Sequence, residues 1–457
     1  MATPPQPDSP ALHAEAAGVK RGGGAKAAWR NVLANASVIL GERLAFGVVN
    51  IAAAAVAVRA VGFEAFGAVL LVHAYTRLFG DMLRFQSWQA VLRYGAPALA
   101  DGRTQDLRRL LGLTLRLDLI ALAGSITAAI LFSGFAASIF NWPAETARWA
   151  PWYALAIAFM ATETPAGVLR LLDRFGILAL RHAINASIRL TGAALVWLLG
   201  IEGQTGAAAL IAVWFLASVL SGGWLFAMAF LVLRGRNLLP RMRGDWSEMR
   251  AGFDGFWGFV LATNASTTLA TTVVNLTILV VGGVLGASAA GLFGVVRQFA
   301  DAFGKPAKLL GPVIFPELGR LRAQKRRRSL DGLMLRALGA GAAAVAAIAG
   351  VMALAGGPLL ETAFGTEALR AYNLMILATV AASLSIWGFS LEPALLSAGR
   401  AGVSLAIQCS AAALYALTLF VLLSMGGGLT EVGVALLANA AFAFLARLGA
   451  VWKFRRL

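Results

Sequence analysis

The feature that most constrains this chain is the length of its apolar runs. Blocks of roughly 20 to 29 residues recur from residue 31 onward, each long enough to cross a ~30 Å hydrocarbon layer as a helix. Twelve such spans are predicted: 31–58, 66–92, 107–133, 150–169, 178–200, 206–233, 253–281, 288–316, 333–355, 371–393, 402–424 and 432–452. The short alternating segments of a membrane β-barrel are absent. The chain has 457 residues, of which 59% are hydrophobic and 13% charged. A soluble domain is about one quarter charged, so this chain lacks the polar residues to coat a water-exposed fold. The expected fold class is all-α and polytopic.

The net charge of +17 lies mostly between the apolar blocks. Basic gaps are the N-terminal tail, 93–109, 170–181, 234–250, 317–332, Arg400 and the tail Lys453, Arg455, Arg456. The intervening gaps hold little beyond Arg59, Arg148 and Arg370. About 26 Lys and Arg fall on one side and about three on the other, so the positive-inside rule puts both termini in the cytoplasm. Charge confined to gaps speaks against a nucleic-acid partner, which needs a basic stripe on a soluble face. Residues 1–28, rich in Pro, Ala and Gly with Lys20, Arg21 and Lys26, are expected to be a disordered basic cytoplasmic tail. A cleaved signal peptide is not expected, because the apolar stretch from Asn31 is too long and carries Glu42 and Arg43. Cys409 is the one cysteine, so no intramolecular disulfide is possible, no metal cluster is suggested, and a packing role is expected. Trp142, Trp149 and Trp152 cluster near one outer boundary, where indoles prefer to sit.

The sequence repeats weakly at an offset of 224 residues. Val61–Gly67 aligns with Leu285–Gly291, Phe79-Gly80 with Phe303-Gly304, and Leu171-Leu172 with Leu395-Leu396. Six helices per repeat is an even number, which gives two parallel, pseudo-symmetric six-helix lobes about a central cavity. The expected organisation is a tail (1–28), an N-terminal lobe (29–233), a cytoplasmic linker (234–250) and a C-terminal lobe (251–457). In the linker, Arg241, Arg243 and Trp246 either rest on anionic headgroups or form a solvated connector.

Charges inside the membrane carry the functional signal. His73, Arg77, Asp81 and Arg84 fall four, four and three residues apart, on one helical face. Arg297, Asp301, Lys305 and Lys308 repeat that spacing at the 224-residue offset. A charge at the bilayer centre costs about 2.5–3.5 kcal/mol on insertion scales. Pairing of Arg77 with Asp81 and of Asp301 with Lys305 offsets part of that cost. The positive surplus predicts that the two stripes face each other across a wet cavity. Arg43, Arg116, Asp118, Glu163 and Arg189 stand apart from this pattern. The competing reading is that these are satisfied pairs, with Arg84, Lys308 and Arg116 snorkelling to the cytoplasmic face. His73 is either a proton-coupling group or a hydrogen-bonded packing histidine. Asp81, Glu163 and Asp301 either bind a coupling Na+ or H+ or sit in ion pairs.

The eighth span also contains Pro306, Pro312 and Pro316, which suggest a hinged helix or a static kink. The seventh carries Asn264, Ser266, Thr267, Thr268, Thr271, Thr272 and Asn275. These either bond neighbouring helices or line a path for sugar hydroxyls. No GxxxxGK[ST] phosphate loop, metal-spaced His/Cys cluster or catalytic triad is present, so neither enzymatic activity nor a resident cofactor is expected.

The run Arg59–Gly67 is similar to the short outer turn, LG-x-x-x-fG, that precedes the second helix in bacterial polysaccharide flippases. Leu169–Phe175 and Leu395–Arg400 resemble that family's inner loops after helices 4 and 10. With twelve spans in two lobes, the resemblance extends over nearly the whole chain after residue 28. It points to the multidrug/oligosaccharidyl-lipid/polysaccharide (MOP) exporter superfamily, in its O-antigen and capsule flippase (Wzx-like) branch. The resemblance implies a bacterial inner-membrane protein that moves an undecaprenyl-pyrophosphate-linked oligosaccharide, a lipopolysaccharide or other surface-polysaccharide precursor, to the outer leaflet by alternating access. The implied partners are that substrate, membrane lipids, and a polysaccharide polymerase with glycosyltransferases.

Arginine suits a pyrophosphate because its planar fork is permanently charged. The expected cavity cations are Arg43, Arg77, Arg84, Arg297, Lys305 and Lys308. His73 occupies the repeat position of Arg297, so the cations are not symmetric between lobes. Three alternatives stand beside this reading: a cation-coupled multidrug antiporter of the same superfamily, a lipid II flippase, and a non-transporting scaffold for glycosyltransferases.

Overall fold

Inside hydrocarbon every backbone N–H and C=O must be bonded within the protein, which leaves long apolar blocks little choice but helix. The computed structural model describes residues 25–250, 252–300, 327–388, 391–397 and 400–455, and every regular element among them is helical. The chain divides into two compact units, Met1–Ala45 and Phe46–Leu457. Among the described residues, eight helical spans are long and apolar enough to cross a membrane, and all eight belong to the second unit. The chain is a multi-pass membrane protein.

The helix Ala25–Met82 consists of two limbs, α1 (25–61) and α2 (63–82). After it come α3 (Ser87–Ala100), α4 (Thr104–Leu131), α5 (Ser133–Ile139), α6 (Ala144–Tyr153) and α7 (Glu163–Leu171). Then come α8 (Phe175–Leu198), α9 (Gly203–Gly235), the short α10 (Trp246–Arg250), α11 (Phe256–Leu285) and α12 (287–300). The last are α13 (Arg327–Phe364), α14 (Tyr372–Trp387), α15 (Leu391–Ser397), α16 (Ala401–Ser424) and α17 (Leu429–Arg455).

Two glycines turn corners that other residues would take only under strain. Gly62, between α1 and α2, has φ 82° and ψ 168°. Gly286, between α11 and α12, has φ 92° and ψ 167°. This left-handed half of backbone space is open to glycine, which lacks a Cβ. The two positions are 224 residues apart. Beyond the corners, α2 and α12 cross backbone to backbone. A Cβ on Gly67 would stand 2.6 Å from the Ala287 carbonyl carbon and 3.1 Å from the Gly291 nitrogen. A Cβ on Gly291 would stand 2.6 Å from the Phe63 oxygen and 3.3 Å from the Gly67 nitrogen. Gly67 and Gly291 are also 224 residues apart. Close approach of this kind is what small residues permit between membrane helices.

One buried apolar cluster extends through this crossing. It joins Phe66, Val69 and Tyr75 of α2 to Phe293 and Val296 of α12, and reaches Trp214 and Leu374. Toward the basic segments the buried apolar residues form two smaller clusters, the first of which joins α4 to the start of α11. Leu107, Leu110, Leu113, Phe253 and Phe256 form one cluster, and Leu391, Leu395, Phe444 and Val451 another. The bundle is therefore welded most extensively at the end poor in charge. At the welded end, Arg59 Nε donates to the Ala363 carbonyl at 3.1 Å and Nη2 to the Thr362 carbonyl. Both are terminal carbonyls of α13, unpaired within the helix. Ser288 Oγ donates to Glu367 Oε1 at 3.2 Å.

Two spans expected to be continuous are interrupted. The predicted helix 66–92 unwinds at 83–86, between α2 and α3, and the predicted helix 150–169 unwinds at Ala161–Thr162, before α7. Pro165 accounts for the second break: it cannot donate to the Ala161 carbonyl, and its ring would crowd that carbonyl. The first break contains neither Gly nor Pro, so side chains from other segments must stabilise it.

The connector 236–245 is docked on α4 by its backbone, while most of its side chains stay exposed. Arg241 N–H donates to the Arg108 carbonyl at 2.9 Å, and Arg108 Nε to the Leu239 carbonyl at 3.0 Å. Arg116 Nη1 donates to the Gly244 carbonyl at 2.8 Å and Nη2 to the Met242 carbonyl. Arg116 therefore clasps a chain segment instead of snorkelling. Cys409 is exposed on α16, so the packing role expected for it does not hold.

Candidate functional site

The charged face of α2 is present as its spacing requires. Arg77 Nη2 lies 3.1 Å from Asp81 Oδ2, and Arg84 Nη2 lies 3.0 Å from Asp81 Oδ1. Arg84 also reaches across to α7, where its Nη1 is 3.4 Å from Glu163 Oε1. Arg84 sits in the unwound stretch 83–86. One guanidinium there bridges two carboxylates, the planar-fork geometry that lysine cannot supply. Arg84 is therefore committed to two acids and does not snorkel. Asp81 is buried, whereas the Arg77 side chain is 36% exposed, which makes Arg77 more accessible than Arg84.

Asp118 of α4 joins the same place. Its Oδ1 accepts from the Ser87 hydroxyl at 2.5 Å, and its Oδ2 accepts from the Thr164 backbone N–H at 2.9 Å. Ser87 opens α3 and Thr164 lies in the first turn of α7. One carboxylate thus satisfies donors at both helix starts, where negative charge is favoured. Trp88 Nε1 bonds Gln86 Oε1 at 2.9 Å across the first break. These side chains take over from the missing helical bonds and explain how the chain unwinds without Gly or Pro.

One turn nearer the welded end, His73 Nδ1 is 2.9 Å from the Tyr153 hydroxyl. The imidazole meets the Trp214 ring edge-on at 5.0 Å between centroids. Arg189 of α8 packs on the same indole, with its guanidinium carbon 3.8 Å from the ring centroid. Cation–π contact of this kind partly replaces the water the arginine has lost. Arg189, Arg77 and Arg297 all act electrostatically on His73. Arg297 of α12 also lies within electrostatic reach of Tyr415 on α16. Arg181, eight residues before Arg189 on α8, acts on Glu163.

Arg77, Arg84 and Arg297, expected as cavity cations, are thus brought together with His73, Asp81 and Glu163. The Arg43 side chain and Asp301, Lys305, Lys308 and Pro306 to Pro316 lie outside the described residues. Arg181, Arg189, Asp118 and Tyr153 were missed as members of the site. The first two carried a signal, since Arg181, Asn185 and Arg189 recur at intervals of four on α8, and Asn185 bonds Ser221 of α9 at 3.2 Å. Around the site, six arginines (77, 84, 170, 181, 189 and 297) outnumber three carboxylates (81, 118 and 163) among the described residues.

Polar residues of α11 bond neighbouring helices. Thr268 Oγ1 lies 3.4 Å from the Asp81 carbonyl, where α2 ends, and 3.0 Å from Asn264 Oδ1 on its own helix. Thr277 and Tyr415 share a hydroxyl pair at 2.9 Å. Among the described residues, no group of three or more His, Cys, Asp or Glu side chains could hold a metal ion.

No family model matches the chain. It is 29% identical, over 351 residues, to the inner membrane protein YghQ of Escherichia coli (strain K12), covering 77% of this chain and 97% of that protein. Among solved structures, it is similar to an inward-facing multidrug resistance MATE family transporter of the MOP superfamily. That match has a TM-score of 0.72 and 12% identity, covering 91% of this chain and 99% of the other. A variant of the MATE transporter VcmN of Vibrio cholerae gives a TM-score of 0.61 at 14% identity, covering 93% and 98%. At such identities the likeness gives the fold, which is that of the MATE transporters of the MOP superfamily.

Proposed function

We propose that this chain is a flippase that carries an undecaprenyl-pyrophosphate-linked oligosaccharide from the inner to the outer leaflet of a bacterial inner membrane. Transport proceeds by alternating access between two six-helix lobes, 29–233 and 251–457, with both termini cytoplasmic. The observation that carries the reading is the surplus of arginine at membrane depth around Arg77 and Arg297. An isolated charge there costs several kcal/mol, so a surplus needs an anionic guest or water to offset it. A pyrophosphate accepts bidentate bonds from such arginines. The MATE fold supports a transport role. The matched corners at Gly62 and Gly286, and the matched crossing at Gly67 and Gly291, support the two-lobe organisation.

A multidrug exporter is the second reading, favoured by what the solved neighbours are. A cationic drug needs an available carboxylate, whereas Asp81 and Glu163 are both engaged by Arg84 and both oxygens of Asp118 are engaged by Ser87 and Thr164. Purified protein in vesicles separates the two. The flippase reading expects a fluorescent lipid-pyrophosphate saccharide to cross leaflets, and the Arg77→Ala/Arg297→Ala double variant to lose most of that rate. Normal flipping by the double variant removes these arginines from the site. Uptake of a cationic dye on an ion gradient, with no lipid movement, selects the multidrug reading.

A further inference from the structure

Three carboxylates meet at the paired breaks of the first half, and they are held differently. Asp81 is bound by Arg77 and Arg84, and Glu163 by Arg84. Asp118 is held by a hydroxyl and a backbone N–H, both neutral. A proton added to Asp81 or Glu163 would take from Arg84 one of its two carboxylate partners, which is unfavourable. A proton added to Asp118 strands no cation. It cancels the negative charge that both helix starts favour, and weakens two bonds that owe their strength to that charge.

We propose that Asp118 is a proton-binding site whose occupancy sets whether α3 and α7 are fastened to α4, and thereby positions Arg84 and Glu163. In the fastened state the carboxylate accepts from Ser87 and Thr164. When the proton binds, one carboxyl oxygen becomes an O–H donor. The Ser87 hydroxyl, until then a donor, must turn to accept it, and the Thr164 N–H is left with a neutral acceptor. Arg84 precedes α3 by three residues and Glu163 begins α7, so loosening either helix changes the geometry of the cationic site. No redox partner or other co-reactant is required.

The other charged groups around Asp118 are accounted for. On α4 itself, Arg116 is occupied by the Gly244 and Met242 carbonyls. On α3, Arg93 lies over the Tyr94 and Phe259 rings. On α7, Arg170 lies over the Trp88 ring at 4.3 Å. Glu163, next to Thr164, brings a second negative charge to the same place and is itself tied to Arg84. No arginine is ion-paired with Asp118 among the described residues.

As a coupling device the site rests on the transport reading, but its test needs no substrate. The full chain, with Cys409→Ala as background, is placed in lipid nanodiscs. Infrared difference spectra between alkaline and acid buffer read the protonated-acid band. Spin labels at Ala100→Cys on α3 and Gly402→Cys on α16 read the distance between the halves at the basic end. The expected result is an acid band that Asp118→Asn abolishes, with a distance change of the same midpoint. Asp118→Asn should stay in the acid-side distribution at every pH. The Ser87→Ala variant, which keeps the carboxylate, should move the midpoint without abolishing the response. The proposal is overturned if the acid band survives in Asp118→Asn, if the distance ignores pH in the parent, or if Ser87→Ala titrates like the parent. A parent that titrates as expected but moves no lipid pyrophosphate leaves the proton site standing and removes the flippase reading.

Discussion

Replacing Gly67 with alanine should open the bundle at its charge-poor end. The added Cβ would lie 2.6 Å from the Ala287 carbonyl carbon and 3.1 Å from the Gly291 nitrogen. Comfortable carbon–carbon separation is about 3.5 Å or more, so α2 and α12 must part by about 1 Å. The colliding atoms are backbone, held by their own helical bonds, and cannot rotate away. Overpacking of this kind costs about 1–3 kcal/mol. That cost falls on the state with α2 and α12 crossed and is relieved when they separate. At 1.4 kcal/mol per decade, the closed-to-open ratio at this end should fall by about five- to about a hundredfold. Spin labels at Glu64 and Val284, both exposed, report the change as a longer distance population. Gly223→Ala is the control, since a Cβ there meets nothing within 4 Å. It lies inside α9 and should stabilise the helix by about 0.5–1 kcal/mol. A Gly67→Ala protein whose label distances and thermal stability match the parent would refute the close crossing.

Arg84→Ala should destabilise the fold by about 3 kcal/mol, because it leaves Asp81 and Glu163 without their shared partner; unfolding in detergent measures it. Arg84→Lys should recover only part of the loss, since an ammonium cannot fork across two carboxylates. Tyr153→Phe removes the partner of His73 Nδ1 and should cost about 1 kcal/mol, read as a lowered unfolding midpoint. Arg116→Ala should free the connector 236–245 from α4 and raise its rate of cleavage by trypsin at Arg241 and Arg243, while the helical bundle stays intact.

Local physics made much of this legible before the structure. The i, i+4 and i, i+3 spacing of Arg77, Asp81 and Arg84 specifies a common helical face wherever the helix lies, and both ion pairs are present. Gly62 and Gly286 lie in gaps between the predicted spans and align in the 224-residue repeat, but the left-handed turn each makes was seen only in the structure. Pro165 is a local stop signal, yet the span 150–169 was expected to be continuous. The unwound stretch at 83–86 had no such mark. It depends on Asp118, Glu163 and Gln86 meeting from separate segments, and a bond such as Ser87 to Asp118 leaves no trace in spacing. Arg189 was readable as a charge at depth, but the Trp214 ring that accepts it comes from another helix. The docking of 236–245 was hidden for the same reason: arginines that look free along the sequence are bound to carbonyls far away in it.

The central claim is that the site receives an anion. Native mass spectrometry of the protein in nanodiscs, titrated with undecaprenyl pyrophosphate or with uncharged undecaprenol, tests it most directly. The expected result is retention of the pyrophosphate but not the alcohol, with most of that preference lost in Arg77→Ala/Arg297→Ala. Equal retention of both lipids by parent and variant would contradict it.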